Sequence, residues 1–331
     1  MLVRLGFTPM KGQGLLYRGD NLDVLRTYVE DAAVDLCYID PPFHTRRNYR
    51  TCSLAGGFRD TWEWDACAAA GFAEASGAVG QLLHGLRPVL GEGSLLAYLV
   101  SVALRVAEIH RVLKPTGTFF LHCDPTASHY LKLVLDAVFC PQGGSFRNEI
   151  VWCYSHGGRS KKWFGRKHDI IFFYSKSERY HFDVNAVRVE MRSGNRSFGG
   201  RLVTGEDGRK YRLVYGTRNA RGEARYYKYY LDEGKLPEDW WADINSLQAS
   251  AAERVEYPTQ KPEALVQRII LACSRKGDTV LDAYCGCGTT LVAAERAGRR
   301  WIGVDNAPEA VEMARARIEK EFGRPVRVLV L

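Results

Sequence analysis

Residues 279–305 leave the chain few folds to choose from. Thr279-Val-Leu-Asp282 reads as a buried strand, and a glycine-rich loop, Ala283-Tyr-Cys-Gly286-Cys-Gly288, follows it directly. Thr290 to Ala297 is then expected to be a short helix stopped by Gly298. Trp301-Ile-Gly-Val-Asp305 reads as the next strand. Strand, crossover helix and strand in one unit imply parallel pairing with a right-handed connection. Asn306 and Pro308 cap and start a last helix, with Ala310, Val311, Ala314 and Ile318 on one face. Upstream, Pro262 marks a helix start, and Leu265, Ile269, Ile270 and Cys273 follow at helical spacing. The expected class is α/β, with a mostly parallel sheet and helices on both faces.

The N-terminal part contributes more of the same layers. Val34-Asp-Leu-Cys-Tyr-Ile-Asp40 is an apolar run stopped by Pro41-Pro42, which reads as a second buried strand. Residues 44–92 are rich in Gly and Ala and read as loops and short helices. Leu95 to Val112 has no Gly or Pro and reads as a helix. Lys114-Pro-Thr-Gly117 reads as a turn, Thr118 to His122 as a strand, and Tyr130 to Phe139 as a helix. Residues 155–245 hold strand-like pieces, Ile170–Tyr174 and Tyr211–Tyr215, among Gly, Arg and Ser, and look like an insertion.

Two constellations carry chemistry. In Asp282 to Thr290, glycines after a strand let a ligand approach the backbone, and the next helix offers free N–H groups. Asp305, about 20 positions beyond Gly286, can accept two hydrogen bonds from a ribose diol. The third glycine of a dinucleotide fingerprint is missing, which favours a nucleoside without pyrophosphate and counts against a nicotinamide oxidoreductase. Cys285 and Cys287 lack the spacing of a zinc site, so no metal is expected. The second constellation is Asp40-Pro41-Pro42-Phe43. Asp40 and the Pro41 carbonyl can accept both hydrogens of one amino group, and Phe43 can stack on the ring that bears it. Read blandly, the two are a tight turn and a strand stop with a core aromatic.

Composition narrows the partners. The chain has 331 residues, is 46% hydrophobic and 25% charged, and carries a net charge of +8. That balance excludes bulk disorder, collagen and coiled coil. The whole excess of +8 lies in residues 155–240, which also hold eight tyrosines. Basic side chains interleaved with aromatics suit a polyanion with stacking bases, although a solvated arginine-rich surface has the same composition. The longest apolar stretch, Leu95 to Leu104, is too short to span a bilayer. The N-terminus lacks a signal-peptide apolar region, so no membrane association is expected and the cytoplasm is the expected compartment. Nine scattered cysteines fit reduced thiols.

Taken together, the motifs resemble the DNA amino-methyltransferases that act on adenine N6 or cytosine N4. Asp40 to Phe43 matches that family's D-P-P-[YF], and Asp282 to Thr290 its cofactor loop, with Tyr284 where Phe is usual. Tyr17-Arg-Gly-Asp20, Arg111 to Gly117, Leu121-His-Cys-Asp124, Asn148 to Trp152, His168-Asp169 and Tyr257-Pro-Thr-Gln-Lys-Pro262 match the connecting elements. The order, D-P-P-F before the glycine loop with the basic segment between, is that of the permuted β group.

The resemblance implies a circularly permuted, Rossmann-like S-adenosylmethionine-dependent methyltransferase fold. Residues 1–154 would form its catalytic half, 155–250 a target-recognition insertion, and 251–331 the cofactor-binding half. S-adenosyl-L-methionine is the implied cofactor, held by Asp20 at the adenine end and Asp305 at the ribose. Asp282, Tyr284, Gly286, Gly288 and Thr289 would form the loop, and Lys261 would reach the methionine carboxylate. Asp40, Pro41, Pro42 and Phe43 would be catalytic on a base flipped from double-stranded DNA. His122 and Asp124 would line the base pocket, and Arg159, Lys161, Lys162 and Arg166 would contact DNA. The family leans to adenine N6 for D-P-P-F, with cytosine N4 as the alternative. It also suggests a homodimer, a cognate restriction endonuclease, and a cytoplasmic, nucleoid-associated setting of bacterial, archaeal or phage type. An RNA methyltransferase or an inactive DNA-binding module are the rival readings.

Overall fold

The structure, a computed structural model, describes residues 14–44, 47–50, 57–155, 160–190, 200–218 and 221–331. The chain runs β1 (Leu15–Arg18), α1 (Asn21–Tyr28), β2 (Val34–Ile39), a hairpin of β3 (Arg47–Arg50) and β4 (Gly57–Asp60), α2 (Ala66–Glu74), α3 (Gly77–Leu90) and α4 (Ser94–Val112). Next come β5 (Leu113–Cys123), α5 (Ser128–Phe139), β6 (Ser145–Cys153), β7 (His168–Ser175), β8 (Arg201–Thr204), β9 (Lys210–Tyr215), β10 (Tyr226–Tyr230) and β11 (Trp240–Trp241). It ends with α6 (Glu263–Cys273), β12 (Thr279–Asp282), α7 (Thr289–Arg296), β13 (Arg300–Asp305), α8 (Pro308–Phe322) and β14 (Val328–Val330).

Nine strands form one sheet in the order β11-β6-β7-β5-β2-β12-β13-β1-β14. Every neighbouring pair is parallel except the two made by β7. Parallel strands carry helices on both faces and so are apolar on both. Accordingly β2, β5, β12 and β13 are buried over most of their length. The centre is the β2–β12 pair, where Leu36 faces Val280 and Cys37 faces Leu281. It joins two parts of the chain far apart in sequence and sets the carboxyl ends of their strands side by side. Lys114 and the Thr279 N–H both bind Asp35 of β2, at 2.8 and 2.9 Å, which ties β5, β2 and β12 at the opposite end.

Several elements differ from their sequence reading for local reasons. Lys114–Gly117 is a turn in character, but it sits inside β5 as a bulge: Val34 pairs with Leu113 and Leu36 already with Thr118. Residues 66–90 form two full helices, α2 capped by Asp65, whose carboxylate accepts from the Ala68 N–H at 2.8 Å. No periodicity marks β1 and β14. Both are short and are held by pairing to β13 and to each other.

The chain divides into two units, Met1–Phe182 with Asp239–Leu331, and Asp183–Glu238. The second is narrower than the expected insertion of 155–250. Ile171, Phe172 and Tyr174 are fully buried, so β7 belongs to the large sheet. The small unit holds the three-stranded antiparallel sheet β10-β9-β8. There Tyr215 packs on Tyr226, Tyr211 on Tyr230, and Arg209 lies 4.0 Å over the Tyr230 ring. All eight described cysteines are free. No helix among the described residues is long and apolar enough to cross a membrane.

Trp301 is the largest fully buried side chain, and its indole donates to Glu295 at 2.7 Å. A Cβ on Gly14 would collide with the Trp301 ring, so only glycine fits there. Trp301→Ala is expected to lower unfolding stability by about 3–5 kcal/mol. Urea denaturation measures this, and a loss below about 1 kcal/mol would remove Trp301 from the core.

Candidate active site

Five neighbouring parallel strands each end at an aspartate. In sheet order, β5 leads to Asp124, β2 to Asp40, β12 ends in Asp282, β13 ends in Asp305, and β1 leads through Gly19 to Asp20. Ligands of open α/β sheets bind beyond the carboxyl ends of the strands, where the helix N-termini also point. A cavity of about 470 Å³ lies at this edge, and Asp20, Asp40, Asp282 and Asp305 all line it. Arg105 and Lys261 are its basic residues. A protein with a net charge of +8 thus carries an acidic cavity.

The glycine loop is held by Asp305. One carboxylate oxygen accepts from the Gly286 N–H and the other from the Ala307 N–H, both at 2.9 Å. Burial raises the Asp305 carboxyl above its ordinary range, and the Ala307, Gly286 and Asn306 N–H groups oppose that shift. Gly286 has φ +48°, and a Cβ there would meet the Tyr257 ring at 3.1 Å. Gly288 caps α7 at φ +82°, with room for a Cβ only 2.9 Å from that of Ala314. Thr289 is buried, and its hydroxyl accepts from Arg317 at 3.2 Å. Tyr284 is half-buried on the cavity wall.

Asp282 is buried behind this loop, with its side chain accepting from the Tyr284 N–H at 2.9 Å. Burial pushes its carboxyl from 3.8 up to about 7; the Thr290 and Tyr284 hydrogen bonds pull it down, and the charges of Asp40 and Asp305 add to the rise.

Asp40 stands across the cavity. Lys261 donates to Oδ2 at 2.6 Å, and its ammonium lies 4.9 Å from the Phe43 ring centre. Oδ1 of Asp40 is buried and has no hydrogen-bond partner. A buried carboxylate oxygen left in this way is a strong acceptor aimed at nothing in the protein. Pro41, Pro42 and Phe43 share the cavity wall with it. Lys261, expected at a cofactor carboxylate, is therefore engaged with Asp40.

His122 and Asp124 are not among the residues lining the cavity. His122 is fully buried beneath Phe43, with ring centres 5.8 Å apart. It joins Tyr38 at 2.8 Å and Asp169 at 3.0 Å, and Tyr154 donates to the other Asp169 oxygen at 3.0 Å. Burial alone would raise the Asp169 carboxyl, but His122, Lys261 and Tyr154 hold it below its ordinary range. Asp124 caps a turn through the N–H and hydroxyl of Thr126, at 3.1 and 2.7 Å. Lys161, Lys162 and Arg166 lie on the exposed loop between β6 and β7, and Arg159 lies outside the described residues.

Asp20 caps α1 through the Leu22 N–H at 2.8 Å and pairs with Arg105 at 2.8 Å. Arg105 also binds Asn21, whose amide donates to the Ala283 carbonyl at 2.7 Å, so α4 and α1 brace the loop. Sequence reasoning missed Arg105, Asn21, Tyr257 and Gln260 on this wall. Tyr257 and Gln260 belong to a motif already singled out, whereas nothing in helix α4 distinguishes Arg105.

Chemically, the wall offers Asp305 and Asp20 as acceptors for hydroxyl and amino groups and a glycine loop that admits close approach. It also offers an unpaired acceptor, Asp40 Oδ1, beside Pro41 and an aromatic face. A cationic nucleoside fits these donors and acceptors.

The chain matches the DNA methylase family model over residues 34–316. It is 30% identical over 216 residues to the type II methyltransferase M.HpaI of Haemophilus parainfluenzae, covering 65% of this chain and 57% of the relative. It is 29% identical over 306 residues to the DNA adenine methyltransferase YhdJ of Escherichia coli (strain K12), covering 92% and 82%. A Thermus thermophilus protein solved in complex with S-adenosyl-L-methionine superposes with a TM-score of 0.51 at 18% identity, covering 96% of this chain and 99% of that one.

The electrostatics of Asp282 are testable. Its native pKa lies above its unfolded value, so the native state binds the proton more tightly. As pH rises from about 4 to about 7 the unfolded chain ionises first, and stability falls by up to about 4 kcal/mol from this group. Asp282→Asn retains the acceptor for Tyr284 and should remove that slope. Denaturation curves for both proteins across this range should diverge, and parallel curves would contradict the assignment.

Proposed function

Given that the chain belongs to the DNA methylase family, we propose that it transfers a methyl group to the exocyclic amine of a base in double-stranded DNA, adenine N6 in preference to cytosine N4. The observation that carries this reading is the buried, unpartnered Oδ1 of Asp40, beside Pro41 and Phe43 on the same cavity wall as the Gly286 loop and Asp305. The adenine preference is supported by the D-P-P-F motif and by YhdJ, a DNA adenine methyltransferase matched over 92% of this chain. The match spans little more than half of M.HpaI, so activity, substrate and partners rest on this proposal.

The proposed cofactor is S-adenosyl-L-methionine, which when bound supplies an electrophilic methyl on a sulfonium. The residues that would hold it are the Gly286 to Thr289 loop, Tyr284, Asp305 and Asp20. A cationic donor suits a wall with four carboxylates against two bases. Lys261 remains a candidate contact of the methionine end, in addition to its bond to Asp40.

The amine of adenine is a poor nucleophile because its lone pair is delocalised into the ring. Asp40 Oδ1 and the Pro41 carbonyl accept its two N–H bonds and localise the lone pair away from the ring. Positive charge then builds on the nitrogen, and Asp40 stabilises it from a buried position already oriented by Lys261. The transferred product is an ammonium that sheds one proton, for which Asp40 is the acceptor. Phe43 stacks on the ring and fixes its approach. The base must leave the duplex to reach this cavity. The tyrosine- and arginine-bearing segment 155–250 is proposed to read the target sequence, and a type II partner endonuclease accords with the names of relatives.

Asp40→Ala should lower single-turnover methylation by about 10²–10³-fold while leaving cofactor affinity nearly unchanged. Asp40→Asn, which retains a neutral acceptor, should lose less. Mass spectrometry of nucleosides from treated duplex DNA should show N6-methyladenine. Label in N4-methylcytosine would move the target base, and label in no base would end the proposal.

A further inference from the structure

We propose that Trp163 and Phe164 are the wedge that enters the DNA stack where the target base leaves it. This rests on the methyltransferase reading above and adds a positioning role that the motifs do not assign. The two residues sit on the loop between β6 and β7. That loop leaves the sheet at the same edge as the cavity. Cys123, at the carboxyl end of β5, pairs with Ile170, and Trp152 pairs with Asp169, one residue into β7. Asp169 is hydrogen-bonded to His122, which packs against Phe43 of the cavity wall.

Phe164 is 99% exposed and Trp163 65% exposed. No large apolar side chain among those exposed in the described residues is more open than Phe164. Two adjacent aromatics in water leave a large apolar area unburied, and here the two lie side by side on one loop. Lys161 and Lys162 precede them and Arg166 and Lys167 follow, with no acidic residue anywhere in 155–168. Ser160 accepts from the N–H groups of Lys162 and Trp163, at 3.1 and 3.3 Å, and shapes the tip as a turn.

Cations on both sides of an aromatic pair match a phosphate backbone on both sides of a base stack. Extruding one base leaves two π faces with nothing between them. An aromatic or apolar side chain that fills the gap recovers stacking and holds the base out. An anionic membrane surface also accepts aromatics flanked by cations, but a loop that leaves the sheet at the same end as the cavity has no bearing on a membrane and is what a wedge requires.

The test uses the full chain, with Trp163→Ala, Phe164→Ala and the double variant. Both side chains are exposed, so melting temperature should not move. The site that the wild type methylates is first mapped on plasmid DNA. Single-turnover rates are then measured on three substrates: the matched duplex, the same duplex with an abasic position opposite the target, and the target strand alone. The double variant should lose about 30-fold on the matched duplex and less than about threefold on the other two, where little or no stacking must be broken. Equal losses on all three substrates would make the pair a general binding contact and overturn the wedge. No loss on any would do the same. Trp163 emission that shifts with anionic lipid vesicles and not with matched duplex would assign the loop to a membrane. Failure of the wild type to methylate any DNA would bring down the methyltransferase reading itself, a result distinct from an unaffected variant.

Discussion

The parallel pairing of β2 with β12 is the contact on which the site depends. It joins Leu36 to Val280 and Cys37 to Leu281 across most of the chain length. The chain between them holds five helices, the hairpin, the small unit and four of the nine strands of the sheet. Closing so long a loop is slow, and burial of the strands must compensate for it. Once closed, it leaves Asp40 and Asp282 at adjacent strand ends and fixes their distance through the rigid sheet. No local feature near Asp40 could achieve this.

That pairing concentrates like charges, and the surroundings of each carboxylate decide how it is tolerated. Asp305 takes two backbone N–H groups, Asp40 takes Lys261, and Asp20 takes Arg105 and a helix N-terminus. Asp282 receives the Tyr284 N–H and a hydrogen bond from Thr290 but no cation, and its carboxyl is the one driven to about 7. A cationic ligand would relieve this repulsion, and the acidic character of the cavity follows from the strand order itself.

Much of this was legible in the chain. The strand-loop-helix-strand of 279–305 shows its period, its turn glycines and its terminal acid, and the structure reproduces the parallel pairing of β12 and β13. Asp40 and Asp282 could each be found at a strand end. Their adjacency could not, because register between distant strands leaves no local trace. Arg105 is hidden for a related reason: on α4 it is one polar residue in an amphipathic helix, and only the fold brings it to Asp20. The Lys261–Asp40 pair spans 221 positions and is equally silent. The limits of the small unit are hidden too, because β7, an ordinary apolar run, is set apart from it only by where it pairs.

Within the large unit, the basic β6–β7 loop and the carboxylates that line the cavity are separate features. The loop 160–167 is basic and largely exposed, whereas the carboxyl ends of the central strands carry the aspartates that line the cavity. A phosphodiester is attracted to the first and repelled by the second. A neutral base passes between them at no electrostatic cost. Under the proposed function, the loop would hold the backbone, and only the uncharged ring would be admitted toward Asp40. Extrusion of the base, rather than threading of the strand, is the entry with which the proposed function would match this distribution of charge.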